Sequence, residues 1–203
     1  MDRKGLIESL KEKGFSKQIV GAFSKVKREN FVPEDVKYLA YEDEALPIGK
    51  GQTISQPYTI ALMLSLLELK KGQKVLEVGS GCGYVLALLS EIMGKKGKIF
   101  GVEIIHELAE KSRKNLKGYE NVTVHIGDGK IGIREEAPFD RIIISAGYKK
   151  IPKLLTGQLK EKGIIVAPLG TKYGQSLISY KKINGELKLK KEFPGFIFVP
   201  LVD

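Results

Sequence analysis

Short apolar runs alternate with stretches of helical periodicity through the middle of the chain. The runs have no polar face, which is typical of strands buried on both sides of a parallel sheet. The pattern predicts strands near 74–78, 98–102, 122–126, 139–144 and 163–167, and helices at 83–93, 106–116 and 152–160. Such alternation indicates an α/β fold with a doubly wound sheet and right-handed crossovers.

The N-terminal part follows a different pattern. Helical spacing of apolar residues predicts helices over 5–13 and 16–27, with Ser16 as the cap of the second. The stretch Ala40–Gly51 shows no periodicity, so we expect it to be irregular and regard it as a candidate lid. A further helix is predicted over Tyr58–Leu67, directly after Pro57.

The C-terminal part predicts antiparallel structure. Residues 175–182 and 186–193 flank Asn184-Gly185, a strong signal for a hairpin with a type I′ turn, and an extended apolar tail follows at 196–201. We therefore expect one domain over 1–203. It would comprise a helical, substrate-side segment (1–70), a cofactor-binding core (71–170) and a hairpin with its tail (171–203).

Composition narrows the function classes. With 203 residues, 42% of them hydrophobic, the chain can bury one sizeable core. No apolar stretch reaches membrane-spanning length, no signal-peptide core is visible, and Cys82 is the single cysteine, so a cytoplasmic location is expected. The net charge of +10 is spread along the chain, which favours a solvated lysine-rich surface over a nucleic-acid site. The only histidines, His106 and His125, fit neither a zinc site nor a hydrolytic triad.

The segment KVLEVGSGCGY, residues 74–84, carries the clearest chemical signal. A strand is followed by Gly79, Gly81 and Gly83 and then by a helix, so a ligand can approach the main chain and the free N–H groups of the helix. Tyr84 stands where a dinucleotide-binding turn has its third glycine, and there is no P-loop. A plain connecting loop is the alternative interpretation.

Acidic residues follow two of the predicted strands. Glu103 ends the second strand, where a carboxylate can accept both hydroxyls of a ribose, and Asp128 lies between two glycines after the third. Together with the glycine turn they favour an adenosyl ligand without a pyrophosphate, S-adenosylmethionine ahead of NAD. The alternatives are an acid at a helix N-terminus for Glu103 and a turn acid for Asp128.

Several motifs in the chain resemble the protein-L-isoaspartate O-methyltransferase family. They are RENFVP (28–33), AYEDEALPIGKGQTISQPY (40–58), VLEVGSGCGY (75–84), GDG (127–129), APFDRIIISAG (137–147), LKEKGIIVAPLG (159–170) and FVPL (198–201). They span nearly the whole length in the family's order. The TISQPY segment, just before the glycine motif, separates this family from other methyltransferases.

This resemblance implies a Rossmann-like class I methyltransferase fold with an N-terminal helical extension and a C-terminal antiparallel hairpin. It implies methyl transfer from S-adenosylmethionine, without a metal, to the free α-carboxylate of isoaspartyl residues in damaged proteins and peptides, leaving S-adenosylhomocysteine. The expected enzyme is a cytoplasmic monomer with no nucleic-acid or membrane partner.

The resemblance also implies roles for individual residues. Ser55 is the expected catalytic serine, holding the acceptor carboxylate or the cofactor in line, although on pattern alone it could simply cap the following helix. The expected substrate-binding residues are Thr53, Ile54, Gln56, Val199 and Leu201. The expected cofactor-binding residues are Ser55, Gly79, Ser80, Gly81, Cys82, Gly83, Tyr84, Glu103, Ile104, Asp128 and Gly129.

Two other functions stay open at this point. One is methylation of RNA or a small molecule by the same fold. The fourth strand, however, ends in Ser145-Ala146-Gly147 rather than in the Asn/Asp-Pro-Pro-aromatic motif of amine methylation. The other is a non-catalytic binding module, against which the intact glycine turn, Glu103 and Ser55 argue.

Overall fold

The computed structural model describes residues 1–171 and 173–201. The strands are β1 (Leu46–Gly49), β2 (Gln52–Ile54), β3 (Lys74–Val78), β4 (Lys98–Glu103), β5 (Val122–Ile126), β6 (Phe139–Ile144), β7 (Leu159–Thr171), β8 (Gly174–Ile183) and β9 (Glu186–Phe196). The α-helices are α1 (Arg3–Glu12), α2 (Lys17–Lys25), α3 (Pro57–Leu66), α4 (Tyr84–Met93), α5 (His106–Asn115) and α6 (Lys153–Gln158). Across these described ranges, no helix is long and apolar enough to cross a bilayer.

The main sheet has seven strands in the order β5-β4-β3-β6-β7-β8-β9. The first five pair in parallel, and β8 and β9 add antiparallel neighbours at one edge. This confirms the predicted doubly wound α/β fold with a C-terminal antiparallel hairpin. After β3 the chain builds outward to β4 and β5 and then returns to add β6 on the other side. The junction of β3, β4 and β6 is therefore the switch point, where ligands bind beyond the strand ends.

Both faces of the sheet are covered. Val75 and Ile143 point into a cluster that contains side chains of α2, α3 and α4. Their neighbours Leu76 and Ile142 point into a second cluster on the opposite face, with Leu155 of α6. Side chains alternate across a strand, so a strand with two buried faces is mostly apolar and has no polar face. This is why β3 and β6 were predicted with their observed bounds.

The predicted helices before the sheet are confirmed. Ser16 caps α2, because its hydroxyl accepts a hydrogen bond from the Ile19 amide at 3.4 Å. α2 packs on α4, which brings the N-terminal segment against the first crossover of the sheet. One predicted bound at the other end of the chain is wrong: the helix at 152–160 ends at Gln158, because Leu159 already pairs with Phe139 as the first residue of β7.

The expectation that Ala40–Gly51 is irregular is wrong for its second half. β1 and β2 form an antiparallel hairpin, and Leu46 and Ile48 are buried on its inner side. Gly49, Lys50 and Gly51 all have positive φ and make the turn. The glycines of this stretch therefore serve a tight turn between two strands. Whether the hairpin acts as a lid stays a prediction.

The C-terminal hairpin is confirmed. Asn184 and Gly185 both have positive φ, as a type I′ turn requires. The tail beyond β9 runs in parallel beside Gly147, which donates its amide to the Val199 carbonyl at 2.8 Å and accepts from the Leu201 amide at 2.9 Å. The tail thus lies across the carboxyl end of β6.

Candidate active site

The glycine turn after β3 lies at the switch point. The Gly79 amide donates to the Val102 carbonyl of β4 at 2.9 Å, which joins the turn to the neighbouring strand. A Cβ atom on Gly81 would come within 3.0 Å of the Ile48 side chain, so the β1–β2 hairpin packs directly over the turn. Gly83 has a different role. A Cβ there would lie 2.5 Å from the Ser112 hydroxyl, so this glycine permits close packing of α4 on α5.

Glu103 ends β4 beside the turn, with only 6% of its surface exposed. One carboxylate oxygen accepts from the Gly81 amide at 2.8 Å, and the other accepts from the Ile105 amide at 2.9 Å. Ile105 is the N-cap residue of α5, so Glu103 also acts as an acid at a helix N-terminus, which was the alternative interpretation. Each oxygen keeps a further lone pair, so the carboxylate, already fixed in orientation, can also accept from ligand hydroxyls.

Two adjoining cavities open at this edge of the sheet. The glycine-loop cavity is lined by Gly79, Gly81, Glu103, Ile104, Gly129, Val199 and Leu201, among others. The Ser55 cavity is lined by Ile54, Ser55, Glu77, Ser80, Cys82 and Tyr84, among others. Ile48, Thr53, Gly79, Gly81 and Ser145 line both. The structure therefore brings together most of the predicted site residues.

Three predicted site residues line neither cavity: Gln56, Gly83 and Asp128. Gln56 is the N-cap residue of α3, and Gly83 packs on α5 as described. The Asp128 carboxylate accepts from the Lys130 amide at 2.8 Å, which is the turn-acid geometry. Its neighbour Gly129 reaches the cavity wall, where a Cβ would lie 2.4 Å from Val78.

The Ser55 hydroxyl does not cap the helix that follows it. The N-cap of α3 is Gln56, which makes no side-chain cap bond. The Tyr58 amide instead donates to the Asp43 carboxylate at 2.8 Å, so a residue of another segment supplies the cap. Among the described residues, the Ser55 hydroxyl has no hydrogen-bond partner, and Ser55 lines a cavity. That leaves it available to a ligand.

Sequence reasoning missed Glu77 and Ser145. Glu77 lies in β3 with 1% of its surface exposed, and the Ser145 hydroxyl donates to one of its oxygens at 2.7 Å. The other oxygen is buried without a partner in the part of the chain that the structure describes. Burial raises the pKa of the Glu77 carboxyl to about 8; the Ser145 bond lowers it and nearby Glu103 raises it. A lone acid in the apolar run KVLEV was the available signal.

Cys82 and Tyr84 form the inner wall of the Ser55 cavity. Burial raises the pKa of the Cys82 thiol to about 11, so it is a neutral thiol and a poor nucleophile at neutral pH. The Tyr84 ring is 2% exposed and packs edge-on against Phe23 and Phe31. Both residues shape the pocket by packing.

The side chains at this edge indicate the kind of ligand that the site can bind. No group of three or more metal-ligating side chains occurs within residues 1–171 and 173–201. The glycine turn has Tyr84 where a dinucleotide-binding turn has its third glycine, Glu103 is fixed at the end of the next strand, and the buried Glu77 carboxyl lines the same cavity as Ser55. This set suits an adenosyl ligand that carries a positive charge. Fold and site together place the chain in the class of S-adenosylmethionine-dependent methyltransferases.

Comparison with known proteins narrows this class. A family model described as protein-L-isoaspartate(D-aspartate) O-methyltransferase matches residues 1–203. The chain is 46% identical over 204 residues to the protein-L-isoaspartate O-methyltransferase of Methanothrix thermoacetophila, covering 100% of this chain and 95% of the relative. The chain belongs to the protein-L-isoaspartate(D-aspartate) O-methyltransferase family.

Two solved structures agree with this assignment. One named protein-L-isoaspartate O-methyltransferase is similar with a TM-score of 0.90 and 33% identity, over 100% of this chain and 66% of that chain. A second, described as such an enzyme from Plasmodium falciparum in complex with S-adenosyl-L-homocysteine, has a TM-score of 0.86 and 26% identity. It is matched over 99% of its length. The shared fold thus extends beyond the cofactor-binding core to both ends of this chain.

Proposed function

We propose that this chain transfers a methyl group from S-adenosylmethionine to the free α-carboxylate of isoaspartyl residues in proteins and peptides. Family membership supports the reaction. The observation that carries the assignment to this site is the unbonded Ser55 hydroxyl, which lines one cavity with Glu77 and Ser145 beside the glycine turn.

The residues present fit the cofactor. The amides of Gly79, Ser80 and Gly81 are already bonded to Val102 and Glu103, so the turn offers carbonyl oxygens to the methionine end of the cofactor. Glu103 accepts from the ribose hydroxyls. The unpartnered oxygen of Glu77 suits the ammonium group, because a buried carboxyl ionises readily only when a cation is placed beside it. Ile104 and Gly129 line the same cavity, and we retain Asp128 for the adenine amino group.

Catalysis at this site requires alignment and no base. When bound, the cofactor supplies an electrophilic methyl group on its sulfonium. A carboxyl with an ordinary pKa of about 4 is ionised at neutral pH and is therefore already a nucleophile. The Ser55 hydroxyl donates to one carboxylate oxygen and leaves the other in line with the methyl group. Orientation of this kind lowers barriers by roughly 7–11 kcal/mol at most.

Water exclusion is the second contribution of the protein. Ile48 and Ile54, each 4% exposed, close the hairpin side of the two cavities. A dry site strengthens the hydrogen bond from Ser55 and the attraction between the carboxylate and the cationic cofactor. Exclusion of water also suppresses hydrolysis of the reactive methyl donor.

The substrate main chain is bound between the hairpin and the tail in this proposal. Thr53 and Ile54 form one wall, with Gln56 next to them at the start of α3. On the other side, the Val199 carbonyl and the Leu201 amide are already bonded to Gly147, so they cannot bond a peptide edge. Successive residues of an extended chain direct their carbonyls to opposite sides, so the Pro200 carbonyl points away from Gly147. In this proposal it accepts a hydrogen bond from a main-chain amide of the substrate. Contacts to the main chain suit a substrate that varies in sequence.

The assay is methylation with labelled S-adenosylmethionine of three acceptors: an isoaspartyl peptide, its normal aspartyl twin and RNA. Label in the isoaspartyl peptide alone is the expected result, because only that acceptor presents the free α-carboxylate in register with Ser55. Equal labelling of both peptides, or of RNA alone, contradicts the proposal. Absence of label in every acceptor, despite cofactor binding, would indicate a non-catalytic module.

The remaining expectations are part of the same proposal. We infer a single domain over 1–203, which behaves as a monomer in the cytoplasm and has no nucleic-acid or membrane partner. The dispersed positive charge supports the last point. Sedimentation at two concentrations tests the monomer, and one cooperative thermal transition tests the single domain.

A further inference from the structure

Arg28 is the most deeply buried charged side chain near the site. Its residue is 0% exposed and lies in the 3₁₀ turn Arg28–Asn30 that follows α2. One terminal nitrogen donates to the Ser55 carbonyl at 2.9 Å, and the other donates to the Glu44 carbonyl at 3.2 Å. The face of the Tyr84 ring lies 5.3 Å from the guanidinium carbon.

This burial is energetically unusual. Among the described residues, no carboxylate lies within 4.0 Å of the guanidinium, and its Nε has no partner. Burial lowers the pKa of Arg28 from its ordinary value, but a guanidinium stays protonated in proteins. The charge is therefore balanced only by two carbonyl dipoles, an aromatic face and more distant acids such as Asp43. A neutral apolar residue could fill the same volume without the cost of desolvating a cation.

The positions of the two carbonyls that accept from Arg28 show what this side chain holds together. Glu44 lies two residues before β1, and Ser55 directly follows β2. The planar fork of the guanidinium thus joins both ends of the β1–β2 hairpin and holds the peptide of Ser55, which lines the cavity. The Tyr84 ring, held by Phe23 and Phe31, supports the guanidinium from the α4 side.

We propose that Arg28 is a positioning residue, which holds the Ser55 main chain so that the hydroxyl meets the acceptor carboxylate. The inference rests on the proposed function of Ser55. It predicts an effect on transfer to the acceptor and none on cofactor affinity, because Gly81 and Glu103 are held by β3 and β4. A misplacement of about 1 Å in such a site lowers the rate by up to about 100-fold.

Arg141 provides a matched control. It is 8% exposed, and its guanidinium donates to the backbone carbonyls of Leu67 at 2.5 Å, Glu68 at 3.2 Å and Asp140 at 2.8 Å. It lies near the start of β6, at the opposite end of the strands from the glycine turn. Arg141→Lys therefore removes the same kind of buried fork without touching the site.

The experiment compares Arg28→Lys with Arg141→Lys and with wild type. Active sites are counted by titration with S-adenosylhomocysteine, so partly unfolded protein does not enter the rate. We expect kcat for an isoaspartyl peptide to fall about 10- to 100-fold per active site in Arg28→Lys, with the cofactor Kd within about twofold of wild type. Arg141→Lys should lower Tm but leave kcat per site within about twofold.

Chemical rescue adds a test of the fork itself. In Arg28→Ala, added guanidinium at concentrations that leave Tm unchanged should raise kcat, while added methylammonium should not. Equal kcat losses in the Arg28 and Arg141 variants overturn the inference, as does an Arg28→Lys protein that no longer binds cofactor. If wild type itself leaves the isoaspartyl peptide unlabelled, the proposed function fails instead, so the two failures are distinct.

Discussion

The two sides of the site are built in different ways. On the proposed cofactor side, the glycine turn and Glu103 are held by adjacent parallel strands, within one strand–helix–strand unit of the chain. On the proposed acceptor side, Arg28 donates to the Ser55 carbonyl, Asp43 caps the helix that follows, and the hairpin lines the Ser55 cavity. The cofactor side depends on local backbone geometry, whereas the acceptor side depends on side chains brought together from distant segments. We therefore expect the two sides to be separable by mutation.

The largest effect is expected on the cofactor side, from Glu103→Ala. This change removes the acceptor for the Gly81 amide and, in the proposed complex, two charge-assisted bonds to the ribose. Bonds to charged groups contribute about 1.5–3 kcal/mol each, so the loss of two should raise the cofactor Kd by about 100-fold or more. Isothermal titration with S-adenosylhomocysteine measures it. An unchanged Kd would show that the ribose lies elsewhere.

Ser55→Ala tests the acceptor side. We expect kcat for the isoaspartyl peptide to fall by about tenfold or more, because a hydrogen bond that orients the nucleophile is lost. The cofactor Kd should stay within about twofold of wild type. Ser65→Ala, an exposed serine on α3, is the matched control and should leave both constants unchanged. Equal activity of the two variants would reduce Ser55 to a structural residue.

The buried Glu77 carboxyl should make the stability of the protein depend on pH. Its pKa is raised by burial to about 8, so the free native protein keeps a proton that the unfolded chain releases near pH 4.5. The free energy of unfolding should therefore fall as pH rises from about 5 to 8, by up to about 1.4 kcal/mol per pH unit. Thermal melts over this range measure the slope. Glu77→Gln should flatten it and raise Tm at pH 8.

Cofactor affinity should show the opposite dependence on pH. A bound cation favours the ionised carboxylate, so Kd should decrease as pH rises towards 8 and then level off. Glu77→Gln should bind more weakly and lose this part of the dependence. Titration of the ligand's own amine is common to both proteins and cancels in the comparison. Identical pH profiles of Kd would place the ammonium group away from Glu77.

The smallest effect is expected from the hairpin turn. Lys50 and Glu107 form an ion pair at 2.7 Å between the β1–β2 turn and the start of α5, with both side chains more than half exposed. Exposed pairs contribute little, so Lys50→Ala should change the cofactor dissociation rate by no more than about twofold, and less at high salt. Stopped-flow displacement measures this rate. A much larger change would mean that the Lys50–Glu107 ion pair holds the β1–β2 hairpin closed over the cofactor.

The same contrast explains how much the sequence could predict. Val75, Leu76 and Ile142–Ile144 stand in short apolar runs, so their burial and strand state follow from the local pattern. For residues 46–51 the expectation of irregular structure was wrong, because the stretch shows no periodicity and Gly49 and Gly51 suit either a flexible segment or a hairpin turn. Only the packing of Ile48 on Gly81 decides between them.

Fewer contacts of the candidate site than of the fold could be predicted from the sequence. Glu103 could be placed from its position at a strand end, but the partner of Glu77 is Ser145, which lies 68 residues away. Arg28 is 27 residues from Ser55, and no local spacing links them. Whether Ser55 caps α3 depends on Asp43, which belongs to another segment. Such contacts are set by the tertiary fold and cannot be read from spacing along the chain.

A crystal structure with S-adenosylhomocysteine and an isoaspartyl peptide tests the central claim most directly. The account predicts that the peptide carboxylate accepts a hydrogen bond from the Ser55 hydroxyl, within about 3 Å, and faces the cofactor sulfur. It also predicts that Arg28 keeps both of its carbonyl partners in that complex. A carboxylate bound away from Ser55, or a Ser55 hydroxyl turned to the start of α3, would contradict the account.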